Sequence, residues 1–519
     1  MTLGHPAPGA TPAVPPPHPR RWAGLAVLCA SLLIVTMDMT ILNVALPEIS
    51  ADLRPSSVQL LWMVDVYSLV VAGLLVTVAA LGDRWGRKRM LVLGFSIFGL
   101  ASVGVLFVDS PGGVIAIRAL LGVGGAMIMP STLSMIRHLF TEPRERATAL
   151  GVWATMAALG SALGPVVGGA LLEAFSWHSA FLFNVPVMVV AVVAALFLLP
   201  ESRSPRPGRR DLLSTALIIV GMVTLVYAIK HFGKDGLAHP ETWVPGIVAA
   251  VTLTWFVRRS LTQRDPMLEV RLFKGRAFTA GTVGALTASL AIAATLLLLA
   301  QWMQLVQGYS PLATGVRLLP MAVAAAIVSP LSPALAMRVG ARTVLAGGLA
   351  VSGVGFMVLF LGPQPLDYPL VAVSLVLVGA GLGSLAIASA VIMAGAPAAK
   401  SGSAAAIEET SYEVGATLGV AVLGSIAAAQ FRSALNPGEL TADGVHGPAV
   451  DAARESLAGA LEVAHRLGDA GSGLAATARA AFTDSLETAG LAGGLLMLAA
   501  AALVWFLTPR ELSIADAEH

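Results

Sequence analysis

The sequence predicts an all-α polytopic membrane protein of fourteen transmembrane helices, and three observations carry that prediction. The first is composition: of 519 residues, 56% are hydrophobic and only 12% charged, with a mean hydropathy of +0.81, where ordinary globular chains carry about 25% charged residues. The second is continuity: the apolar runs reach helical spanning length, about 20 residues, whereas a membrane β-barrel would show short alternating segments. The third is the placement of positive charge. With the N-terminus in the cytoplasm, twenty-three of the 32 Lys and Arg fall in the tails and cytoplasmic loops, seven fall in loops on the other side, and Arg118 and Arg317 lie within spans. That asymmetry is the positive-inside rule, and a miscounted span would scramble it.

Taken in order, residues 1–19 are rich in Pro, Gly and Ala without apolar periodicity, so 1–21 is expected to be a disordered cytoplasmic tail. Cutting at charges and at Pro and Gly clusters places spans at 22–46, 58–80, 90–108, 113–136, 147–172, 180–199, 212–231, 243–258, 277–305, 313–336, 341–362, 368–395, 403–430 and 486–508. The first run is longer than a signal-peptide core and no small-residue cleavage pattern follows it, so it reads as a retained span. The loop after span two, Leu81-Gly-Asp-Arg-Trp-Gly-Arg-Lys88, shares Leu, Arg and Gly at the same offsets with Leu335-Ala-Met-Arg-Val-Gly-Ala-Arg342 after span ten. This repeat predicts two six-span halves, 22–199 and 277–508, joined by a linker, 200–276, that carries the inserted spans seven and eight. Residues 431–485 form a long outer loop with seven acids and four bases. There Val450, Ala453, Leu457, Leu461 and Ala464 recur at helical spacing, which fits an amphipathic helix or hairpin over the outer face as well as a plain loop. Residues 509–519 are expected to be a cytoplasmic tail.

A net charge of +2 gives no reason to expect nucleic acid or an acidic partner, and the single cysteine, Cys29, precludes an intrachain disulfide or a Cys-based metal site. Chemistry therefore rests on ionisable residues inside spans, which are costly in hydrocarbon and functional by default. Asp38 heads them, within Thr36-Met-Asp-Met-Thr-Ile-Leu-Asn-Val-Ala-Leu-Pro47. At a 1.5 Å rise per residue, Asp38 lies roughly 13 Å, Asp65 about 10 Å and Arg118 about 8 Å from the outer ends of their spans. A nearby Arg118 would tune the Asp38 carboxylate, although a static ion pair has the same sequence signature. Span thirteen adds Glu408, Glu409, Tyr412 and Glu413: Glu409 and Glu413 share one face at i, i+4, and Glu408 and Tyr412 share another. Glu408 near the start of that span also fits a solvated interfacial acid. In span five, Gly160-Ser-Ala-Leu-Gly-Pro-Val-Val-Gly-Gly169 removes side chains from one face and permits close helix approach, while Pro165 frees a carbonyl.

With these motifs the chain resembles the major facilitator superfamily and, within it, the fourteen-span drug:proton antiporters of the QacA-like branch. The first-helix stretch around Asp38, the loop Gly82-Asp-Arg-Trp-Gly-Arg-Lys-Arg89, the span-five glycine motif and Trp177 to Pro186 with Phe181 and Asn184 all carry the likeness. Ala79, Leu121 and His178 depart from the usual pattern, and 320–336 in span ten holds no acid.

The resemblance implies a proton-driven exporter of lipophilic, cationic small molecules in the cell membrane, monomeric, with both termini cytoplasmic and no cofactor beyond the proton gradient. It implies proton coupling by Asp38, Arg118, Glu409 and Glu413, and substrate binding by Asp38, Asp65, Glu408, Glu409, Tyr412 and Glu413. Asp83, Arg84, Gly86 and Arg87 would form a latch between the halves, and Gly160, Gly164, Pro165, Gly168 and Gly169 the antiporter motif that seals the cavity. A transporter of neutral or amphipathic molecules, such as a lipid or a self-made antibiotic, is the alternative. A membrane-embedded enzyme is disfavoured, since the sequence has no zinc-binding His pair, nucleophile elbow or phosphate-binding loop.

Overall fold

The computed structural model describes residues 19–203, 211–235, 239–264, 266, 268–362, 365–397, 400–442 and 445–510. The expected tail 1–18 and the tail 511–519 lie outside them. The helices in chain order are α1 Arg21–Leu53, α2 Ser57–Trp85, α3 Arg87–Gly104, α4 Pro111–Leu139, α5 Pro143–Ala174, α6 Ser179–Leu182, α7 Asn184–Leu198, α8 Leu212–Asp235, α9 Pro240–Thr262, α10 Arg276–Gln301, α11 Pro311–Val339, α12 Ala341–Leu361, α13 Tyr368–Leu382, α14 Leu385–Ala394, α15 Ser401–Ala434, α16 Pro437–Ala442, α17 Pro448–Glu455, α18 Leu457–Arg466 and α19 Ser472–Leu507. Among the described residues, thirteen helical segments are long and apolar enough to cross a membrane. The remaining expected span, span eight, is α9, a 23-residue helix with Glu241, Arg258 and Arg259 near its ends, packed along α8.

Local sequence explains the starts and stops. Ser56 and Gln59 form a reciprocal capping box at α2, and Ser110–Pro111, Ser310–Pro311 and Asp367 open α4, α11 and α13 with a side-chain acceptor and a proline in the first turn. Span six is broken between α6 and α7, and span twelve between α13 and α14, where Gly383 and Ser384 interrupt the ladder.

Several bounds differ from expectation, span one among them, since α1 runs to Leu53 rather than 46. Span thirteen continues to Ala434, and span fourteen begins at Ser472 rather than near residue 486. Arg479 and Asp484 had marked a boundary, but the helix carries them beyond the apolar stretch, with Thr483 accepting a hydrogen bond from Trp302. The outer segment thus shrinks to 435–471 and folds as α16, α17 and α18, the last two packed together, with α18 resting on α1 and α19.

The repeat is visible in packing. Helix α1 lies along α5 as α10 lies along α15; α2 pairs with α4 as α11 pairs with α13; α3 meets α7 as α12 meets α19. The two repeat loops turn on equivalent glycines, Gly86 at φ 117° and Gly340 at φ 89°, a region that side chains avoid. One end of the molecule is therefore closed by α17 and α18, the capped end, and the other carries the Gly86 and Gly340 loops, the basic end.

Bonds that tie the halves cluster at the capped end. Gln304 donates to the Val44 carbonyl at 2.9 Å, Ser310 to Glu173, Arg54 to Glu462 at 3.1 Å, and Ser57 to Glu455 at 3.0 Å. Toward the basic end, from Ala326 to Val339 of α11 only Ser332 and Ala336 are buried, and Trp85 and Met337 are exposed.

Candidate functional site

Helix α2 organises the site, because residues 62–68 send polar groups in two directions. Met63 and Tyr67, four apart, face α4 and α1; Trp62, Asp65 and Ser68, three apart, face α8 and α15.

On the first face, Arg118 of α4 donates to Asp38 Oδ2 at 2.6 Å, and both side chains are 1% exposed. Arg118 Nε donates to the Met63 carbonyl at 3.2 Å, and its guanidinium stands 4.7 Å from the Tyr67 ring centroid. Asn184 of α7 donates to Asp38 Oδ1 at 2.8 Å. Both oxygens of Asp38 are engaged inside the first half, so Asp38 is not presented to a ligand here, contrary to its expected place in substrate binding.

On the second face, Asp65 does not join Arg118, as matched depth had suggested. Its Oδ2 lies 2.9 Å from Nζ of Lys230 on α8, with the two side chains 1% and 0% exposed. The Lys230 ammonium also sits 4.0 Å from the centre of the Trp62 ring. Lys230 had been counted among the outer-loop bases because it lies at the end of span seven. Its position inside 212–231 was the available signal, since an ionisable residue in a span is a functional candidate.

Helix α15 supplies the opposing wall. Glu413 is 3% exposed, within hydrogen-bonding reach of Ser68, and its Oε2 has no hydrogen-bond partner. Glu409 precedes it by one turn on the same face. No basic side chain is described against either one. Glu408 accepts from the Tyr412 hydroxyl at 2.8 Å, and the Tyr412 carbonyl accepts from Ser289 of α10 at 2.6 Å. Apart from the Asp65–Lys230 pair, two buried polar atoms near this part of α2 lack a protein hydrogen-bond partner: Tyr67 Oη and Glu413 Oε2. Unsatisfied buried polar groups are costly and need a reason.

The expected latch is placed differently. Asp83 lies in α2, but its side chain falls outside what the structure describes, and Arg84 is exposed. The Arg87 amide donates to the Ser202 carbonyl at 2.9 Å and its guanidinium to Ser202 Oγ at 3.4 Å. A Cβ on Gly86 would collide with Glu201. Both partners follow directly on α7, so Gly86 and Arg87 hold the loop to the end of that helix.

The glycine motif divides its work. Gly160, Gly164 and Gly168 admit Thr36, Thr40 and Ile41 of α1, within one half, while Gly169 abuts Leu312 of α11 and the Pro165 carbonyl abuts Gly315. The contact with α11 of the other half is thus made at Pro165 and Gly169, while Gly164 and Gly168 face α1. An equivalent pair, Gly415 and Gly419 of α15, receives the backbone of α10 at Leu286 and Leu290; the span-thirteen reading had passed over it.

The family profile described as the Major Facilitator Superfamily matches residues 28–420. The chain belongs to this superfamily. It is 40% identical over 499 residues to the multidrug efflux pump LfrA of Mycolicibacterium smegmatis, covering 95% of this chain and 97% of that one. It is 37% identical over 496 residues to the methyl viologen resistance protein SmvA of Salmonella typhimurium, covering 94% and 98%. Among solved structures, a bacterial homologue of the human lysosomal transporter Spinster, inward-facing and unoccupied, superposes with a TM-score of 0.64 at 17% identity over 94% of this chain and 97% of that one. That likeness is one of fold. This major facilitator protein is a multi-pass membrane transporter, not an enzyme.

Proposed function

We propose that this transporter is a proton-driven exporter of lipophilic cations, working as a monomer in the cell membrane with its basic end and both termini in the cytoplasm. The likeness to LfrA, a multidrug efflux pump, and SmvA, a methyl viologen resistance protein, supports drug export. The observation that carries the ion chemistry is the asymmetry among membrane carboxylates: Asp38 and Asp65 face bases, whereas Glu413 is buried without one.

A buried carboxylate without a base holds either a proton or a foreign cation, because leaving it bare costs several kcal/mol, on the order of the penalty for one desolvated ion. In the state open at the basic end, a lipophilic cation entering from the cytoplasm takes the place of the proton on Glu413, and the proton leaves to the cytoplasm. After the capped end opens, a proton from outside reprotonates the carboxylate and the cation departs. Each turn exchanges one positive charge for another at this carboxylate. Glu409, one turn away, Glu408 and Tyr412 add negative potential and an aromatic face for the ligand. Asp38 and Arg118 act as a closed pair that positions α1 and α4 and holds α2 through Met63.

The test joins cells and purified protein. Cells producing the protein should expel ethidium and resist it, and a protonophore should abolish both effects. Adding ethidium to purified protein should release protons, and Glu413→Gln should remove that release for every substrate while the protein still folds. Efflux indifferent to the protonophore, or full proton release from the variant, would overturn the proposal.

A further inference from the structure

The inserted span α8 does more than fill the gap between the halves. Lys230 places an ammonium 2.9 Å from the Asp65 carboxylate and 4.0 Å from the centre of the Trp62 ring. A carboxylate beside an aromatic face is what a transporter of organic cations would offer its ligand. Here both charged groups are fully buried, the ammonium is 2.9 Å from the carboxylate, and its other neighbour is the Trp62 ring. A pair built only for stability would be expected to satisfy its remaining donors and lone pairs. Trp62 is only half-buried. Ser68, one turn beyond Asp65 on the same helix, reaches Glu413, the unpaired carboxylate of the opposite wall. The two acids therefore flank one region, and Lys230 neutralises one of them.

We propose that Lys230 is a tethered cation that fills the Trp62–Asp65 subsite, so that α8 sets charge selectivity by leaving room for one ligand charge and excluding a second. This rests on the reading of the protein as a cation exporter. A monocation pairs with α15 and leaves Lys230 in place. A dication places its second charge where Lys230 already sits, and must expel it.

Ethidium and propidium share a ring system and differ in carrying one and two positive charges, so the ratio of their dissociation constants isolates the second charge. Measured on purified full-length protein by ligand fluorescence, Lys230→Met should shift that ratio toward propidium by about tenfold, equivalent to 1.4 kcal/mol. Lys230→Arg, which keeps the charge, should leave the ratio near that of the native protein. Asp65→Asn combined with Lys230→Met should return the shifted ratio to the native value, because the subsite is then neutral again.

An unchanged ratio in Lys230→Met, or a shift that persists in the double variant, would overturn the inference. So would failure of both Lys230→Met and Lys230→Gln to fold while the double variant folds, since the pair would then be structural. Native protein that binds neither dye would refute the exporter reading and this inference with it, whereas binding with an unmoved ratio refutes the inference alone.

Discussion

Asp38 and Arg118 show why a buried pair has to be judged by what surrounds it. Each is 1% exposed, and Asn184, Met63 and Tyr67 complete the shell. Removing one charge strands the other in a site with no water to screen it, a loss of about 3–5 kcal/mol for buried pairs in general. Asp38→Asn should therefore lower the thermal stability of the purified protein sharply, and Asp38→Asn with Arg118→Met should recover most of it while transport stays absent. Melting curves in detergent read the first effect and ethidium efflux the second. Equal stability of the single variant and the native protein would show that the pair holds nothing together. Lys230 and Asp65 share the burial but not the supporting bonds, which is why the first pair reads as structure and the second as an occupied site.

The inserted helices α8 and α9 are joined at their basic ends by Asp211. It accepts from the Ser214 amide at 3.0 Å and the Ser214 hydroxyl at 2.7 Å, from Arg259 of α9 at 3.1 Å, and from Gln263 at 2.9 Å. Burial alone would raise its carboxyl pKa, but these donors outweigh burial and hold it well below the usual carboxylate range. A depressed value stabilises the folded state at any pH above the unfolded pKa, about 3.9, and the gain fades as pH falls from there toward the folded value. Asp211→Asn should accordingly lower the melting temperature by an amount that is constant from pH 8 to 5 and begins to shrink only below about pH 4. A difference that vanishes between pH 7 and 6 would point to another group. The short helices α17 and α18 hold their place by burying Ala453, Leu457, Ala460, Val463 and Ala464, and exposed ion pairs such as Arg54 with Glu462 add about 1 kcal/mol or less each.

On the exchange proposed above, the structure, with its capped end tied, is one of two states the transporter visits. Breaking a few surface ion pairs at the cap and closing α11 on α2 and α5 at the basic end would produce the other. Spin labels at Trp85 and Met337, both exposed at the basic end, should move closer when ethidium binds or when an inward proton gradient is imposed across vesicles. Cys29 is buried, and with Cys29→Ser it leaves no competing thiol. A distance distribution unaffected by either ligand or gradient would exclude this rocking motion.

Hydropathy was enough to determine the class and the paired loops after spans two and ten to suggest the two-half repeat, because those features answer to the bilayer and can be read one segment at a time. The same holds for the glycine stretch of α5 and the acids of α15, whose spacing fixes which of them share a face. Partnership could not be read that way. Asp65 meets Lys230 rather than Arg118, Gly164 seats against α1 rather than against the other half, and Gly86 and Arg87 answer to Glu201 and Ser202. Each of those outcomes depends on which helix lies beside which, at what rotation, across separations of more than a hundred residues in the case of Lys230 and Asp65. Such contacts are set by the packing of the whole bundle, and only the tertiary structure decided which of the buried acids were paired with a base and which were left open to a ligand.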